Sequence, residues 1–411
     1  VDDRDIVFTE DVVTDNDMVF MGIVAIADPV RAGVSESVGQ CLNAGIEVKM
    51  VTGDTVGTAK EIGRQVGLWN DDVDNDSNII VGSDFAALPD DEAAKVAQRI
   101  KIMSRARPTD KSRLVELLQK NNHVVAVTGD GTNDAPALNA AHVGLSMGDG
   151  TSVAKEASDI TILDNSFESI SKAVMWGRSL YRNIQRFILF QLTVNLVACI
   201  VVLVGAFTGQ QSPLTVTQML WVNLIMDTFA AMSLASLPPS SDVMNSKPRK
   251  ISDFIITKSM RGIIFAVSAA FLFVLVGFMQ YMRHTDLPLS DFSMELFFAN
   301  FFAADTPETV FTQYELTIFF TLFVFLQFWN LFNAKSYKSR FSAFRQMGES
   351  KVFFMTVLAI IIGQVVIVTF GGEMFGVVPL KLEDWLILFF GSSVVMILGE
   401  IGHLFYRRRV S

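Results

Sequence analysis

The chain has 411 residues, half of them hydrophobic, and a formal net charge of −10. With a mean hydropathy of +0.38, this length leaves room for a soluble domain followed by several membrane spans. The acidic balance lacks the basic stripe of a nucleic-acid-binding protein, so no nucleic-acid partner is expected, and the two cysteines, Cys41 and Cys199, give no disulfide framework or metal cluster.

The first 16 residues are polar and acidic, and an apolar, β-branched strand is predicted at Met18–Ala27. The strand stops at Asp28 and Pro29, because proline cannot donate to a strand ladder. From the residues alone, the segment Asp28 to Arg31 is a strand-ending turn.

Short strands and helices then alternate as far as residue 163, which predicts an α/β domain with a mainly parallel sheet covered on both faces. The predicted helices are Val34–Ala44, Val56–Val66, Asp91–Arg99, Lys111–Lys120, Ala135–Ala140 and Val153–Ala157. The predicted strands are Ile46–Val51, Lys101–Ser104, an apolar run from Val124 that we place at the centre of the sheet, Val143–Leu145 and Ile160–Leu163.

Two of these strands end in polar loops of the same kind. Thr52 and Asp54 follow the strand that begins at Ile46, and Asp130 and Asp134 follow the run from Val124. Parallel strands carry ligand sites at their carboxyl ends. Carboxylate oxygens suit Mg²⁺, and a hydroxyl with a lysine suits a phosphate. One TGDG string alone would also fit a surface turn. The presence of a second loop of the same kind, with Lys111 between the two loops, favours a phosphate and Mg²⁺ site.

A single long helix is predicted over Ser169–Gly205. No proline occurs between Asn165 and Ser212, and an amphipathic pattern over Ile170–Gln185 passes directly into an uncharged apolar stretch. At about 1.5 Å per residue this helix would be roughly 55 Å long. We expect it to join the soluble domain rigidly to the first membrane span.

Six apolar stretches have about the ~20 residues that a membrane-spanning helix requires. They are Phe187–Phe207, Thr217–Leu237, Gly262–Met282, Leu316–Phe332, Val352–Phe370 and Trp385–Phe405. The loops Asn245–Lys258 and Lys335–Lys351 and the end Arg407–Arg409 are basic, and the other loops are poor in lysine and arginine. Since basic loops stay in the cytosol, we expect both chain ends and the soluble domain to be cytosolic.

Among the polar residues inside the predicted spans, three are candidate ion ligands: Asn195 in the first span, and Asn223 and Asp227 in the second. Asn223 and Asp227 are four residues apart, so in an α-helix they project from one face and can hold one ion. Amide and carboxylate oxygens are hard ligands that suit Ca²⁺. The alternative is that a protonated Asp227 and the two asparagines only form hydrogen bonds between helices.

The motifs together resemble a known family. The strings DPVR from Asp28, TGD from Thr52 and TGDGTNDAPAL from Thr128 occur in the order found in P-type ion-pumping ATPases. Trp221–Thr228 (WVNLIMDT) and Leu192–Asn195 (LTVN) are similar to the sixth and fifth helices of plasma-membrane-type Ca²⁺ pumps, the type IIB group. The resemblance implies an α/β haloacid-dehalogenase-like (Rossmann-like) phosphorylation domain followed by an all-α bundle of six transmembrane helices.

The resemblance also implies a domain organisation. Residues 1–16 would be the tail of a nucleotide-binding domain, 17–168 the carboxyl-terminal part of the phosphorylation domain, 169–186 a cytosolic stalk helix and 187–411 the transmembrane domain. The family's phosphate acceptor is an aspartate in a DKTGT motif, which does not occur in these 411 residues. We therefore expect a carboxyl-terminal fragment that does not hydrolyse ATP alone and has the amino-terminal part of the same polypeptide as its partner.

The implied reaction transfers phosphate from ATP to the missing aspartate and moves Ca²⁺ across a plasma or bacterial inner membrane, with Mg²⁺ held by Asp130. The implied catalytic residues are Thr52, Gly53, Asp54, Lys111, Asp130, Asn133 and Asp134. The implied nucleotide contacts are Asp28, Arg31 and Arg105. For Asp28 and Arg31, the alternative that they only form a strand-ending turn stays open. The implied Ca²⁺ ligands are Asn195, Asn223 and Asp227, together with a glutamate on the absent fourth helix.

The resemblance implies one Ca²⁺ per cycle, because two-site pumps carry further oxygen ligands where this chain has Ala198, Met226 and Gln327. Two alternatives stay open. The cargo of the pump could be Mn²⁺ or Na⁺, since single-site Ca²⁺/Mn²⁺ pumps have a similar sixth helix. The protein could also be a catalytically inactive membrane protein that uses the fold for binding.

Overall fold

The computed structural model describes residues 21–22, 29–207, 212–285, 288–301, 303, 311–339, 342–344 and 350–410, with the side chains of 403–410 excepted. The acidic tail and all of the predicted strand Met18–Ala27 except Met21 and Gly22 lie outside these residues.

Residues 29–166 form an α/β domain of short elements. Its helices are α1 (Val34–Asn43), α2 (Val56–Gln65), α3 (Gly82–Ala87), α4 (Asp90–Arg99), α5 (Pro108–Lys120), α6 (Ala135–Ala140) and α7 (Ser152–Glu156). Its strands are β1 (Met50–Val51), β2 (Ile79–Val81), β3 (Ile102–Ser104), β4 (Ala126–Gly129), β5 (Val143–Met147) and β6 (Ile160–Ile162). The predicted helices are confirmed with small shifts at their ends, whereas β2 and α3 were not predicted.

The strands form two parallel sheets of three strands each, in the orders β1-β3-β2 and β4-β5-β6. Both registers are regular, with Met50 opposite Ile102 and Ala126 opposite Val143. The prediction of one sheet with the Val124 run at its centre was wrong for the described residues. Strand β4 is an edge strand, and Val124 just before it is 62% exposed, because no described strand pairs with its outer side.

Helix α5 joins the two sheets. Its buried Leu114 packs in a cluster that also contacts Val51 of β1 and Val125, which precedes β4. The helix starts at Pro108, a favoured first position, and Asp110 Oδ2 accepts a hydrogen bond from the Arg107 backbone N–H at 2.9 Å. The amino terminus of α5 therefore lies between the carboxyl ends of β1 and β4.

The predicted long helix is confirmed as α8 (Phe167–Phe207), an uninterrupted helix of 41 residues and roughly 60 Å. Its amino terminus is fixed by Asp164, whose carboxylate accepts hydrogen bonds from the Ser169 hydroxyl and the Ser166 backbone N–H. These two hydrogen bonds hold the pKa of Asp164 below its usual value. The helix carries both the last turn of the soluble domain and the first apolar stretch.

All described elements after α8 are helical, and they include two short 3-10 helices at Ser241–Asn245 and Leu289–Asp291. The other elements are α9 (Val216–Leu220), a π-helix (Trp221–Met226), α10 (Asp227–Ala235), α11 (Lys258–His284), α12 (Met294–Asn300), α13 (Gln313–Ser336), α14 (Lys351–Phe370), α15 (Gly372–Phe375), α16 (Leu382–Ser392) and α17 (Val394–Val410). Among the described residues, five helical stretches are long and apolar enough to cross a membrane: 167–207, 258–284, 313–336, 351–370 and 382–402. The predicted stretch Thr217–Leu237 is divided among α9, the π-helix and α10, so a count of six is not confirmed.

The loop between α10 and α11 ties the α/β domain to α8. Arg178 on α8 donates hydrogen bonds to the carbonyl oxygens of Ala44, Val243 and Ser246 at 2.8–3.2 Å. Arg182, one turn further along α8, contacts both carboxylate oxygens of Asp242 through its Nη1 at 2.8 and 3.0 Å. Three parts of the chain thus meet at one end of the helical region.

Phe85 tests the core of the α/β domain, because its side chain is fully buried beside α5. Replacement of Phe85 by Ala leaves a cavity, and we expect it to destabilise this domain by about 3–5 kcal/mol. The exposed control Val124→Ala is expected to change stability by no more than about 0.5 kcal/mol. Pulse proteolysis of the detergent-solubilised chain across a urea series measures both, and equal effects would contradict the assigned core.

Candidate functional site

The site in the α/β domain is organised around Asp134. Its Oδ1 pairs with Lys111 Nζ at 2.6 Å, one turn into α5. Its Oδ2 accepts hydrogen bonds from the backbone N–H groups of Asp130 and Gly131 at 3.3 and 3.2 Å. A Cβ at Gly129 would overlap the Asp134 carboxylate, so this close approach requires glycine at the end of β4.

Thr52 and Asp54 form the second half of the site. The Thr52 hydroxyl donates to Asp54 Oδ2 at 2.7 Å, and the Asp54 backbone N–H donates to Thr52 Oγ1. The carbonyl oxygen of Thr52 accepts from Ala106 N–H at 2.9 Å, which places the loop that leads into α5 against Thr52. The predicted Thr52, Lys111 and Asp134 are thus brought to the same helix terminus.

Asp130, Asn133 and Gly53 line the exposed side of this site. The described residues contain no group of three or more His, Cys, Asp or Glu side chains placed to hold a metal ion. Asp134 is paired with Lys111 and Asp54 accepts a hydrogen bond from the Thr52 hydroxyl, whereas the exposed Asp130 carboxylate has no described side-chain partner. One carboxylate fits Mg²⁺, which usually takes one or two protein carboxylates and completes its shell with water and phosphate oxygens.

The three predicted nucleotide contacts are placed differently. Asp28 lies outside the described residues. Arg31 Nη1 donates to the carbonyl oxygen of Asn165 at 2.9 Å, two residues before α8, so its guanidinium is engaged at the base of the long helix. Arg105 is exposed, has a φ of 47° and donates its backbone N–H to the Asp54 carbonyl oxygen. A positive φ is costly for a bulky side chain, and here it holds the Arg105 backbone against the site.

The predicted ion-binding residues in the helical region differ in burial. Asp227 is only 3% exposed, and neither carboxylate oxygen has a hydrogen-bond partner among the described residues. Asn195 on α8 is half-buried, and Asn223 is exposed. The prediction that Asn223 and Asp227 share one face assumed an α-helix, but residues 221–226 form a π-helix, which changes the angular spacing of side chains.

The neighbours of this region are apolar or unpaired. Ala198 and Met226 are fully buried. Gln327 on α13 is also fully buried, and its amide oxygen and nitrogen have no hydrogen-bond partner among the described residues. Burying an unpaired amide costs free energy, so packing alone does not account for Gln327.

Sequence reasoning missed a buried hydrogen bond between the first residue of the π-helix and α14. Trp221 Nε1 donates to Gln364 Oε1 on α14 at 3.1 Å, and Gln364 is fully buried. The signal available in the sequence was a lone glutamine in the apolar stretch Val352–Phe370.

Comparisons with known proteins give two family matches and several similar relatives. Residues 3–142 match the family model described as haloacid dehalogenase-like hydrolase, and residues 211–405 match the one described as cation transporting ATPase, C-terminus. The chain is 40% identical to a plasma membrane-type calcium-transporting ATPase 10 of Arabidopsis thaliana over 95% of the chain and 35% of the relative. It is 41% identical to a plasma membrane-type calcium-transporting ATPase 5 of Oryza sativa subsp. japonica, over 92% of the chain and 33% of the relative.

A calcium-transporting ATPase 2 of Schizosaccharomyces pombe is 38% identical over 94% of the chain and 28% of the relative. The chain therefore spans about a third of the length of the curated relatives it matches.

Removal of the Asp134 carboxylate should loosen the loop after β4. In Asp134→Ala the N–H groups of Asp130 and Gly131 lose their acceptor, and we expect their hydrogen exchange to become about tenfold faster. Exchange followed by mass spectrometry measures this, with Asp91→Ala, an exposed aspartate on α4, as the control. Unchanged exchange at both amides would contradict the assigned role of Asp134.

Proposed function

From the matches to the family models for haloacid dehalogenase-like hydrolases and for the cation transporting ATPase C-terminus, we propose that the chain belongs to the cation-transporting ATPases and forms part of a P-type pump that uses ATP to move Ca²⁺ out of the cytosol. The observation that carries this proposal is Asp227, a buried carboxylate with no described hydrogen-bond partner, on a helix that packs against α8 and α14, two of the helices that are long and apolar enough to cross a membrane. An ionisable group at such a position is a functional site by default.

The phosphate acceptor of this pump lies, in the proposal, on a segment outside these 411 residues. The sequence contains no DKTGT motif, and the matched relatives are about three times as long as the matched segment. The outer sides of β1 and β4 have no described partner strand, and α5 packs under both of them. One further parallel strand between β1 and β4 would join the two sheets and bring its carboxyl end to Lys111 and Asp130.

At that position the chain supplies the charges that phosphoryl transfer requires. Lys111 is held in place by Asp134, so its ammonium group would balance charge on the transferred phosphoryl group, to which the Thr52 hydroxyl would donate a hydrogen bond. Asp130 holds Mg²⁺, which when bound stabilises charge on the phosphate oxygens. Asn133 and Arg105 lie exposed at the rim, where they contact the phosphate and the nucleotide respectively.

Helix α8 connects this chemistry to the ion site. It runs without interruption from Phe167, beside the α/β domain, to Phe207, and it carries Asn195 in its apolar half. Arg178 and Arg182 tie its middle to α1 and to the loop after α10. A displacement of the α/β domain on phosphorylation is therefore passed to the helices that hold the ion.

We propose a single Ca²⁺ site that comprises Asp227, Asn195 and Asn223, completed by ligands outside the described residues. Asp227 supplies the charge and two free oxygens. Ala198 and Met226 occupy buried positions and have no oxygen to offer, which supports one site rather than two. Hard oxygen ligands favour Ca²⁺, and the relatives' names as calcium-transporting ATPases agree with this.

Mn²⁺ and Na⁺ remain alternative cargoes for the same oxygen ligands, and competition by each ion against radioactive Ca²⁺ uptake in vesicles distinguishes them. A catalytically inactive binding protein is the other alternative. The retained Lys111–Asp134 pair at 2.6 Å argues against it, because binding alone does not require that pair.

The Asp227→Asn variant of the full-length protein tests the ion site. Removal of the charge should abolish Ca²⁺-dependent phosphorylation by ATP, measured as acid-stable phosphoenzyme. The control is Asp384→Asn, since Asp384 is buried but accepts a hydrogen bond from the Tyr314 hydroxyl, which an asparagine oxygen can also accept. Normal Ca²⁺ activation of Asp227→Asn would refute the assignment.

The Lys111→Ala variant tests the phosphoryl site. Loss of the ammonium group removes an electrostatic contact to the transferred group, and we expect phosphorylation by ATP to slow by about 10²–10³-fold. The matched control is Lys120→Ala, an exposed lysine at the other end of α5. Rapid-quench measurement of phosphoenzyme formation compares the two, and equal rates would exclude Lys111 from the site.

A further inference from the structure

The π-helix at Trp221–Met226 lies directly before Asp227. A π-helical turn is rare and less stable than an α-helical one, and it occurs where surrounding contacts impose it. Conversion of this turn to α-helix would remove one residue from the turn and rotate the preceding segment by about 100° relative to Asp227. The direction in which Asp227 points therefore depends on whatever holds the π-helix in place.

Helix α14 forms hydrogen bonds with the first residue of the π-helix and with a residue beyond its end. At its start, Trp221 Nε1 donates to Gln364 Oε1 at 3.1 Å. Beyond its end, the carbonyl oxygen of Phe229 accepts from the Thr356 hydroxyl at 3.4 Å. Gln364 is itself oriented by α13, because its Nε2 donates to Thr321 Oγ1 at 3.5 Å.

Gly363 makes the contact with Trp221 possible. The indole ring lies so close to the Gly363 backbone that a Cβ there would overlap Trp221 Cη2 and lie 2.9 Å from Cζ2. Gly363 has no positive φ, so the backbone conformation does not require glycine. The small residue serves the close approach of the Trp221 ring.

The segment before the π-helix is attached to the same part of the chain. Gln218 Nε2 donates to the carbonyl oxygen of Phe375 at 2.9 Å, and the Thr217 hydroxyl donates to that of Met374 at 2.9 Å. Both carbonyls belong to α15, which follows α14. These contacts hold the segment before the π-helix in place, so relaxation of the turn would displace Asp227 rather than this segment.

From these contacts we propose that Gln364 and Gly363 are positioning residues of the cation site: they clamp Trp221 and so hold the π-helical turn that directs Asp227 into the buried region. The proposal rests on the proposed function, since it assigns the clamp to the ion site of a pump. Neither residue touches the ion. Loss of the clamp lets the turn relax toward α-helix and removes Asp227 from the geometry in which it binds Ca²⁺.

The test compares four variants of the full-length protein in membranes: Gln364→Leu, Gln364→Glu, Gly363→Ala and the control Gly391→Ala. Gln364→Leu removes the acceptor, whereas the carboxyl group introduced by Gln364→Glu still accepts from the indole N–H. Gly363→Ala displaces the ring, and Gly391 is a helical glycine with open space around it. The readouts are the Ca²⁺ concentration for half-maximal phosphorylation and the maximal phosphoenzyme level.

We expect Gln364→Leu and Gly363→Ala to raise the half-maximal Ca²⁺ concentration about three- to tenfold, the range of one hydrogen bond between membrane helices. The maximal phosphoenzyme level should stay within about twofold of wild type, and Gln364→Glu and Gly391→Ala should resemble wild type. An unchanged Ca²⁺ dependence in Gln364→Leu, or a loss of phosphoenzyme without a shift, would overturn the proposal.

A second measurement separates this proposal from the proposed function. Hydrogen exchange of the peptide around residues 221–229 reports the turn directly and needs no pumping. Faster exchange in Gln364→Leu than in Gly391→Ala supports the clamp, and equal exchange excludes it. If the wild-type protein shows no Ca²⁺-dependent phosphorylation while exchange still differs, the pump assignment fails and the clamp on the turn stands.

Discussion

The continuity of the backbone hydrogen bonds in α8 is the constraint on which the rest of the structure depends. Forty-one residues without proline allow one helix to leave the α/β domain and enter the membrane region. Helices α1, α10, α11 and α13 all pack along it. A break in α8 would separate the soluble site from Asp227 while leaving each of them locally intact.

Asp134 in the α/β domain and Asp227 in the helical region have the same carboxylate group but opposite surroundings. Asp134 is satisfied by a lysine and two backbone N–H groups, so it acts as a fixed part of the loop. Asp227 is buried with no described partner, so its charged form needs a cation to balance it. The first arrangement fixes the loop after β4, and the second leaves a buried carboxylate that the proposed function assigns to the ion site.

The described helices of the α/β domain other than α3, and the long helix α8, could be predicted from the sequence, because hydrophobic periodicity and proline placement act locally. The division into two sheets could not, since the alternation of strands says nothing about which edges pair. Strand β2 was missed because its short apolar run directly follows an acidic loop and leads straight into α3. In the membrane region, the spacing of Asn223 and Asp227 in the sequence suggested an α-helix. The structure has a π-helix there, and Trp221 at its start donates a hydrogen bond to Gln364 on α14, 143 residues further along the chain.

The outer sides of β1 and β4 have no partner strand in the described part of the chain, which matters for the production of these 411 residues by themselves. Rows of free N–H and C=O groups recruit other chains, and β4 offers four residues of such backbone beside an exposed Val124. We expect purified material to self-associate through the soluble domain even in good detergent, and a short peptide that fills this gap would act as a solubilising reagent.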